Sequence, residues 1–172
     1  MKTRIALLAL LLIAPSQALA QGAKLELKGL DRLAKLADEA VNLDIPAGML
    51  GFAGGFLKGD GDQAAAKALL STLKGIYIRS FEFDRDNAYT ADDVDSIRKQ
   101  LSAPGWSKFI SSESKRDREL VEIYSWQEGG AFGGLAILVA EPMELTIINI
   151  VGPLDPSKLG LLGGQFGIPS LP

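Results

Sequence analysis

The clearest pattern in the chain is a run of apolar and aromatic residues at positions 74–85, KGIYIRSFEFDR. β-Branched and aromatic residues favour a pleated, half-buried strand, and a glycine before the run and polar residues after it mark its ends. In a regular strand Ile76 and Ile78 fall on one face, whereas Phe81 and Phe83 fall on the other. The pattern predicts the central strand of the domain, with either a bulge near positions 79–80 or cover on both faces.

Other segments have the character of short strands. Residues 40–45 and 120–127 alternate between apolar and polar positions, and residues 106–112 form a strand-like run before a charged turn. Residues 135–140 and 144–151 are apolar at nearly every position, which indicates cover on both faces or a place at the centre of a sheet. The short connections between the last strands predict an antiparallel meander.

Apolar residues recur at helical spacing in four segments, residues 27–38, 46–57, 62–73 and 91–101. The second of these contains glycine at positions 48, 51, 54 and 55. Each glycine weakens a helix by roughly 1 kcal/mol relative to alanine, so something must compensate. Either the glycine face packs closely against a neighbouring helix or strand, or the helix presents an apolar surface to a membrane or an apolar ligand.

Together these elements predict an α+β fold. We expect an antiparallel-rich sheet of about five strands, with three or four helices packed mainly on one face. The domain is predicted to span residues 21–162, and the Gly/Pro-rich residues 163–172 are predicted to form a flexible tail.

The first twenty residues have the pattern of a signal peptide. A short basic start precedes an unbroken apolar run, and Ala18-Leu19-Ala20 then supplies a small-x-small cleavage site. The apolar run covers ten positions, about half of what a bilayer-spanning helix needs, so cleavage is favoured over an uncleaved anchor. The sequence predicts export to the periplasm or the extracellular space, with cleavage after Ala20.

The amino-acid composition excludes several kinds of catalytic and metal-binding site and argues against one class of partner. Of the 18 basic residues, Lys2 and Arg4 leave with the signal peptide, so 16 face 21 acidic ones, and this balance argues against nucleic acid as a partner. Cysteine is absent, so folding uses no disulfide, and histidine is absent too. A Ser-His-Asp triad, a Cys-His pair and a His-ligated zinc site are therefore excluded. We predict no catalytic residue, no metal ligand and no cofactor, and expect that the protein is not an enzyme.

Several candidate sites have a simpler structural explanation. Ser112 and Lys115 match Ser-x-x-Lys, but the companion motifs of penicillin-binding enzymes are missing. Arg79, inside an apolar strand, is expected to be a paired structural charge. A group of acidic residues and one asparagine does not match an EF-hand loop, and a solvated turn followed by a helix cap explains it. This group comprises Asp84, Asp86, Asn87, Asp92, Asp93 and Asp95.

Aromatic residues provide the candidate binding surface. Tyr124 and Trp126 stand at polar positions of their strand, where they could stack on a ligand or a partner, or lie beneath a helix. Phe52 and Phe56 belong to the glycine-rich helix. We predict that these four residues form the binding surface, and that its partner is an envelope protein or an apolar ligand.

Five motifs are similar to those of a known family. They are Lys74-Gly75-Ile76-Tyr77-Ile78-Arg79 with two following phenylalanines, Gly105-Trp106, Gly134-Leu135, Glu141-Pro142 and the run from Glu144 to Gly152. They are the basis of a resemblance to the DUF4252 family of bacterial exported proteins. It covers roughly residues 25–162, and its motifs are structural runs and turns. The resemblance implies an α+β exported domain without an assigned activity, and an envelope role suggested by relatives encoded near extracytoplasmic sigma-factor systems.

The leading functional hypothesis is a non-catalytic periplasmic or secreted binding or adaptor protein that acts in envelope maintenance or sensing. One alternative is a glycosidase-like hydrolase, which needs two carboxylates facing each other across a cleft, one with a raised pKa. The other is weak attachment to a membrane surface through residues 46–57.

Overall fold

The structure is a computed structural model that describes residues 22–54 and 61–153. The predicted signal peptide, Phe56 and the predicted tail lie outside the described residues. Within these described residues, six strands and four helices follow one another. They are a 3-10 helix (Lys28–Lys35), β1 (Glu39–Pro46), α1 (Ala47–Gly54), α2 (Asp62–Thr72), β2 (Gly75–Glu82), α3 (Ala91–Leu101), β3 (Trp106–Ser114), β4 (Glu119–Glu128), β5 (Ala131–Glu141) and β6 (Glu144–Val151).

All six strands join one antiparallel sheet in the order β1-β2-β6-β5-β4-β3. The α+β class is confirmed, but the expectation of about five strands was too low. β1 is a full strand that pairs along the whole of β2 at the edge of the sheet. The prediction that β2 is the central strand was also wrong. β2 lies second from the edge, and the nearly all-apolar β5 and β6 occupy the middle.

Side chains along β2 alternate regularly between the two faces of the sheet. Its pairing with β1 and with β6 runs without a register shift, so the alternative of a bulge at positions 79–80 is excluded. Ile76 and Ile78 pack into one apolar core, whereas Phe81 and Phe83 pack into a second core on the opposite face. Cover on both faces, the other predicted alternative, is confirmed.

Each face of the sheet carries its own core and its own helices. On the first face, which we call the α3 face, the 3-10 helix and α3 bury Leu30, Leu33, Val94, Ile97 and Leu101. On the opposite α1–α2 face, the buried helical residues are Leu50, Leu69 and Leu70. The expectation of helices mainly on one face was therefore wrong. β5 and β6 are apolar on both sides, and both sides must be removed from water.

A buried amide attaches the chain before the 3-10 helix to the α3 face. Asn149 on β6 is completely buried; its Oδ1 accepts the backbone N–H of Leu25 at 2.9 Å. Its Nδ2 donates to the carbonyls of Ala23, at 2.9 Å, and of Leu135, at 3.2 Å. Because buried polar groups are costly when unpaired, this one side chain determines where residues 23–25 lie.

The register also aligns five glutamates in one row across the sheet. Glu39, Glu82, Glu144 and Glu141 stand directly opposite one another in turn on four neighbouring strands. The continuing β4–β5 register brings Glu119 opposite Glu141. Opposite residues of a ladder share a face, and alternation assigns all five to the α1–α2 face. Within the described residues none of them forms an ion pair.

Candidate functional site

A groove of about 530 Å³ lies at the end of the sheet where β2 begins and β6 ends. Its volume is within the range of small-molecule sites in proteins. We call it the Trp126 groove. Its lining consists of Gly22, Ala23, Lys24, Lys74, Trp126, Ala131, Phe132, Gly133, Val151, Gly152 and Pro153.

Irregular pairing and two glycines position Trp126. The β4–β5 register shifts after Trp126, which leaves Gly133 without a partner on β4. A Cβ atom on Gly133 would lie 2.8 Å from the indole ring, and one on Gly105 would lie 2.6 Å from Nε1. Nε1 is buried and makes no hydrogen bond within the described residues. The half-buried indole thus packs between two glycines beside the bulge, and Trp126 lines the groove.

Among residues 22–54 and 61–153, the charged residues that line the groove are positive. They are Lys24 and Lys74, and no acidic residue of this part of the chain lines it. The ammonium of Lys24 lies 4.3 Å from the ring centroid of Tyr77, a cation–π contact. The backbone N–H of Lys74 donates to the carbonyl of Val151 at 2.7 Å, which fixes the backbone of this lysine beside the end of β6.

Tyr124 does not belong to this surface. It is 7% exposed and lies in the core of the α3 face, so its assignment to a binding surface was wrong. Its hydroxyl donates to Glu122 at 2.9 Å, and burial together with this hydrogen bond raises the pKa of Tyr124 to about 12. The sequence left both options open, because a tyrosine at a polar strand position can be exposed on a surface or lie beneath a helix.

Glu122 is the centre of a buried ionic network on the α3 face. Its carboxylate accepts hydrogen bonds from Arg98, Lys108 and Tyr124 at 2.9–3.2 Å. Burial acts to raise the pKa of Glu122, but these hydrogen bonds outweigh it and lower the pKa overall. A carboxylate held in its charged form by three donors is a structural anion, because a general acid needs the opposite shift.

Arg79 is likewise a paired structural charge. It is 3% exposed, and its guanidinium donates to Asp31 at 2.7 Å and to Asp44 at 2.8 Å. The hydrogen bond with Asp44 raises the pKa of Arg79 and lowers the pKa of Asp44. Through these contacts Arg79 connects β2 with the 3-10 helix and with β1. The adjoining cavity of about 60 Å³ is far below the size of a ligand site.

Helix α1 exposes apolar side chains. Met49 is 58% exposed and Phe52 is 72% exposed, whereas Leu50 is buried. A Cβ atom on Gly48 or Gly51 would have no neighbour within 4 Å. Close packing within the described residues therefore does not explain these two glycines. The alternative of an apolar surface on this helix stays a prediction. No helix in residues 22–54 and 61–153 is long and apolar enough to cross a membrane.

The remaining acidic candidates have structural partners or lie apart. Asp93 closes a capping box with Thr90 at the start of α3, and Asp86 pairs with Arg118. In the part of the chain that the structure describes, no three acidic side chains are grouped so as to hold a metal ion.

Among the described residues, two glutamates that line the same depression are a candidate pair for the two-carboxylate arrangement of a glycosidase. Glu113 and Glu119 line a common depression beside the β3–β4 turn. However, Glu113 stands opposite Leu120 and Glu119 opposite Ser114 in the ladder. Strand alternation then directs the two carboxylates to opposite faces of the sheet. They do not face each other across a cleft, and the hydrolase hypothesis gains no support from this pair.

Of the residues that line the groove, the sequence had indicated Trp126 but not Lys24, Lys74 or Phe132, and the role of Trp126 in binding stays a prediction. Lys24, Lys74 and Phe132 are separated by long stretches of chain, and only the pairing of β2, β5 and β6 brings them together. The usable signal was the glycine cluster at positions 129–134 next to an aromatic strand, which is typical of a bulge.

Comparisons with curated proteins and with solved structures gave no match. A comparison with protein families matched residues 35–162 to DUF4252, a domain of unknown function. The match covers most of the chain, including every strand of the sheet and all but the first residues of the described part. The chain therefore belongs to the DUF4252 family.

Proposed function

We propose that this protein is an exported, non-catalytic binding protein of the cell envelope, and that the Trp126 groove is its binding site. The observation that carries the proposal is the groove itself. Half-buried Trp126 and Phe132 both line it, together with three glycines, and its volume is suited to one small molecule.

Two features of the sequence support the rest of the proposal. The first twenty residues have the pattern of a signal peptide, and the chain contains neither histidine nor cysteine. Export is tested by fractionating the native host and sequencing the N-terminus of the protein. A mature chain that begins at Gln21 in an extracytoplasmic fraction supports export, whereas an intact Met1 in the cytoplasm contradicts it.

Binding is tested by screening a library of small apolar and aromatic fragments against the folded protein by NMR. Ligands of the groove should shift the indole N–H signal of Trp126 more than that of Trp106, which stands opposite Trp126 in the ladder but does not line the groove. Trp126→Phe assigns the signal and keeps an aromatic wall, whereas Trp126→Ala should lose binding. A screen in which no fragment moves Trp126 or its neighbours would refute the groove as the binding site.

A second candidate function is reversible attachment to a membrane surface through α1. It is favoured by the exposure of Met49 and Phe52 on a helix without a charged side chain. The test is co-sedimentation with vesicles of a zwitterionic lipid. Phe52→Asp should reduce binding, and Phe109→Asp, at another exposed phenylalanine on β3, is the control. Equal sedimentation of the wild type and both variants would dispose of this function.

A further inference from the structure

The charged residues of the Trp126 groove, and not only its apolar ones, bear on which ligand it binds. Apart from the two lysines, its lining consists of glycine, alanine, valine, proline and aromatic residues. An apolar site with charges of one sign selects among apolar ligands by the charge that they carry.

The two lysines that line the groove differ in their surroundings. Neither Lys24 nor Lys74 forms an ion pair with another described residue. Lys24 instead rests on the ring of Tyr77, at the boundary between the groove and the small polar cavity beside Arg79. The nearby Asp44 is held by Arg79, and the charge of Lys24 also helps to lower its pKa, so within the described residues Lys74 is the lysine of the lining without a neighbouring carboxylate.

We infer that the ligand of the Trp126 groove is a small amphiphile with one apolar chain or ring and one anionic head group. This inference rests on the proposed function of the groove. The apolar part would lie along Trp126 and Phe132, and a carboxylate or phosphate would lie at the lysine-lined rim. The volume suits a single free molecule, and the positive rim complements an anion.

The experiment compares three probes that share one ten-carbon chain: decanoate, decanol and decyltrimethylammonium, each below its micelle concentration. Binding is followed by the indole N–H signal of Trp126. Because exposed charge pairs contribute modestly, decanoate should bind roughly three- to tenfold more tightly than decanol at low salt. The cationic probe should bind most weakly, and the preference should shrink at high salt.

Lys74→Gln removes one charge from the rim without breaking an ion pair. It should reduce the preference for decanoate over decanol by about two- to fivefold while the affinity for decanol stays unchanged. Lys67→Gln, on the exposed part of α2 and outside the lining, is the matched control and should change neither affinity. A Lys74→Gln protein that keeps the full preference for the anion would overturn the role of the rim.

The outcomes separate this inference from the proposed function. If all three probes bind equally, the groove is a binding site but its ligand is not selected by charge, and the inference fails alone. If none binds while other fragments do, the inference also fails alone. If no fragment or probe reaches Trp126, both fail. A response to anionic lipid vesicles but not to free decanoate would assign the site to a bilayer, and would also overturn the inference.

Discussion

Glu144→Gln is predicted to stabilise this protein, although most substitutions destabilise the protein in which they are made. Glu144 is the middle member of the glutamate row, directly opposite Glu82 on one side and Glu141 on the other. Glutamine keeps the size of the side chain. It also keeps an oxygen that can accept the hydrogen bond from the Thr146 hydroxyl, which is 2.9 Å long.

The magnitude follows from the spacing of the strands. Neighbouring strands lie about 4.8 Å apart, so opposed carboxylates are roughly 5 Å from each other. Two like charges at that distance repel by about 0.8 kcal/mol in water, and exposed cross-strand pairs are measured at about 0.2–1 kcal/mol. Glu144 has two such neighbours, and salt screens both. We expect the free energy of unfolding to rise by about 1 kcal/mol at pH 7.

The stability gain from Glu144→Gln should depend on pH, whereas a gain from better packing would not. Burial raises the pKa of Glu141, and the charges of Glu144 and Glu119 raise it further. A carboxyl group with a raised pKa in the folded state destabilises that state above this pKa, and the cost disappears as the pH falls through it. The gain from Glu144→Gln should therefore be present at pH 7 and vanish below about pH 4.

The assay is urea denaturation followed by tryptophan fluorescence, at several pH values and two salt concentrations. Glu113→Gln is the control, because this glutamate lies on β3 opposite Leu120 and outside the row. A Glu144→Gln protein less stable than the wild type at pH 7, or a gain that persists in acid, would refute the reasoning about the row.

Three further substitutions test the fold and the groove. Asn149→Ala leaves buried backbone groups unpaired and should lower the free energy of unfolding by about 3 kcal/mol, with faster hydrogen exchange at residues 23–25. Arg79→Met should cost about 2 kcal/mol at pH 7. Because Arg79 lowers the pKa of Asp44, the contribution of their interaction to the free energy of unfolding is present above about pH 4. It is lost as the pH falls through the pKa that Asp44 has in the folded protein. Parallel acid denaturation curves of the wild type and the variant would contradict this. Gly133→Ala should displace Trp126, costing about 1–3 kcal/mol and shifting its emission, and an unchanged spectrum would count against close packing of the indole on this glycine.

The strands of this protein are visible in its sequence because their signals are local. Alternation identified β1 and β4, and the continuous apolar runs of β5 and β6 indicated cover on both faces. That last signal contradicted the expectation of helices on one side, since two apolar faces need two sets of helices. The absence of histidine and cysteine likewise excludes whole classes of catalytic and metal sites on composition alone.

The candidate site was only partly visible. Trp126 was identified as a potential contact, but the same argument selected Tyr124, which the structure buries against Glu122. Both occupy polar positions of β4, and local pattern does not distinguish a side chain under a helix from one at the open end of the sheet. Packing of α3 over the middle of β4 decides the difference.

The sequence by itself determined which segments are strands, which chemistry is excluded, and that β5 and β6 lie inside. The tertiary structure alone decided that β2 stands between β1 and β6, that five glutamates lie in one row, and that two lysines line the same groove as Trp126. The physical reason is range: periodicity and composition act within a few residues, whereas register and enclosure arise from pairing between segments tens of residues apart.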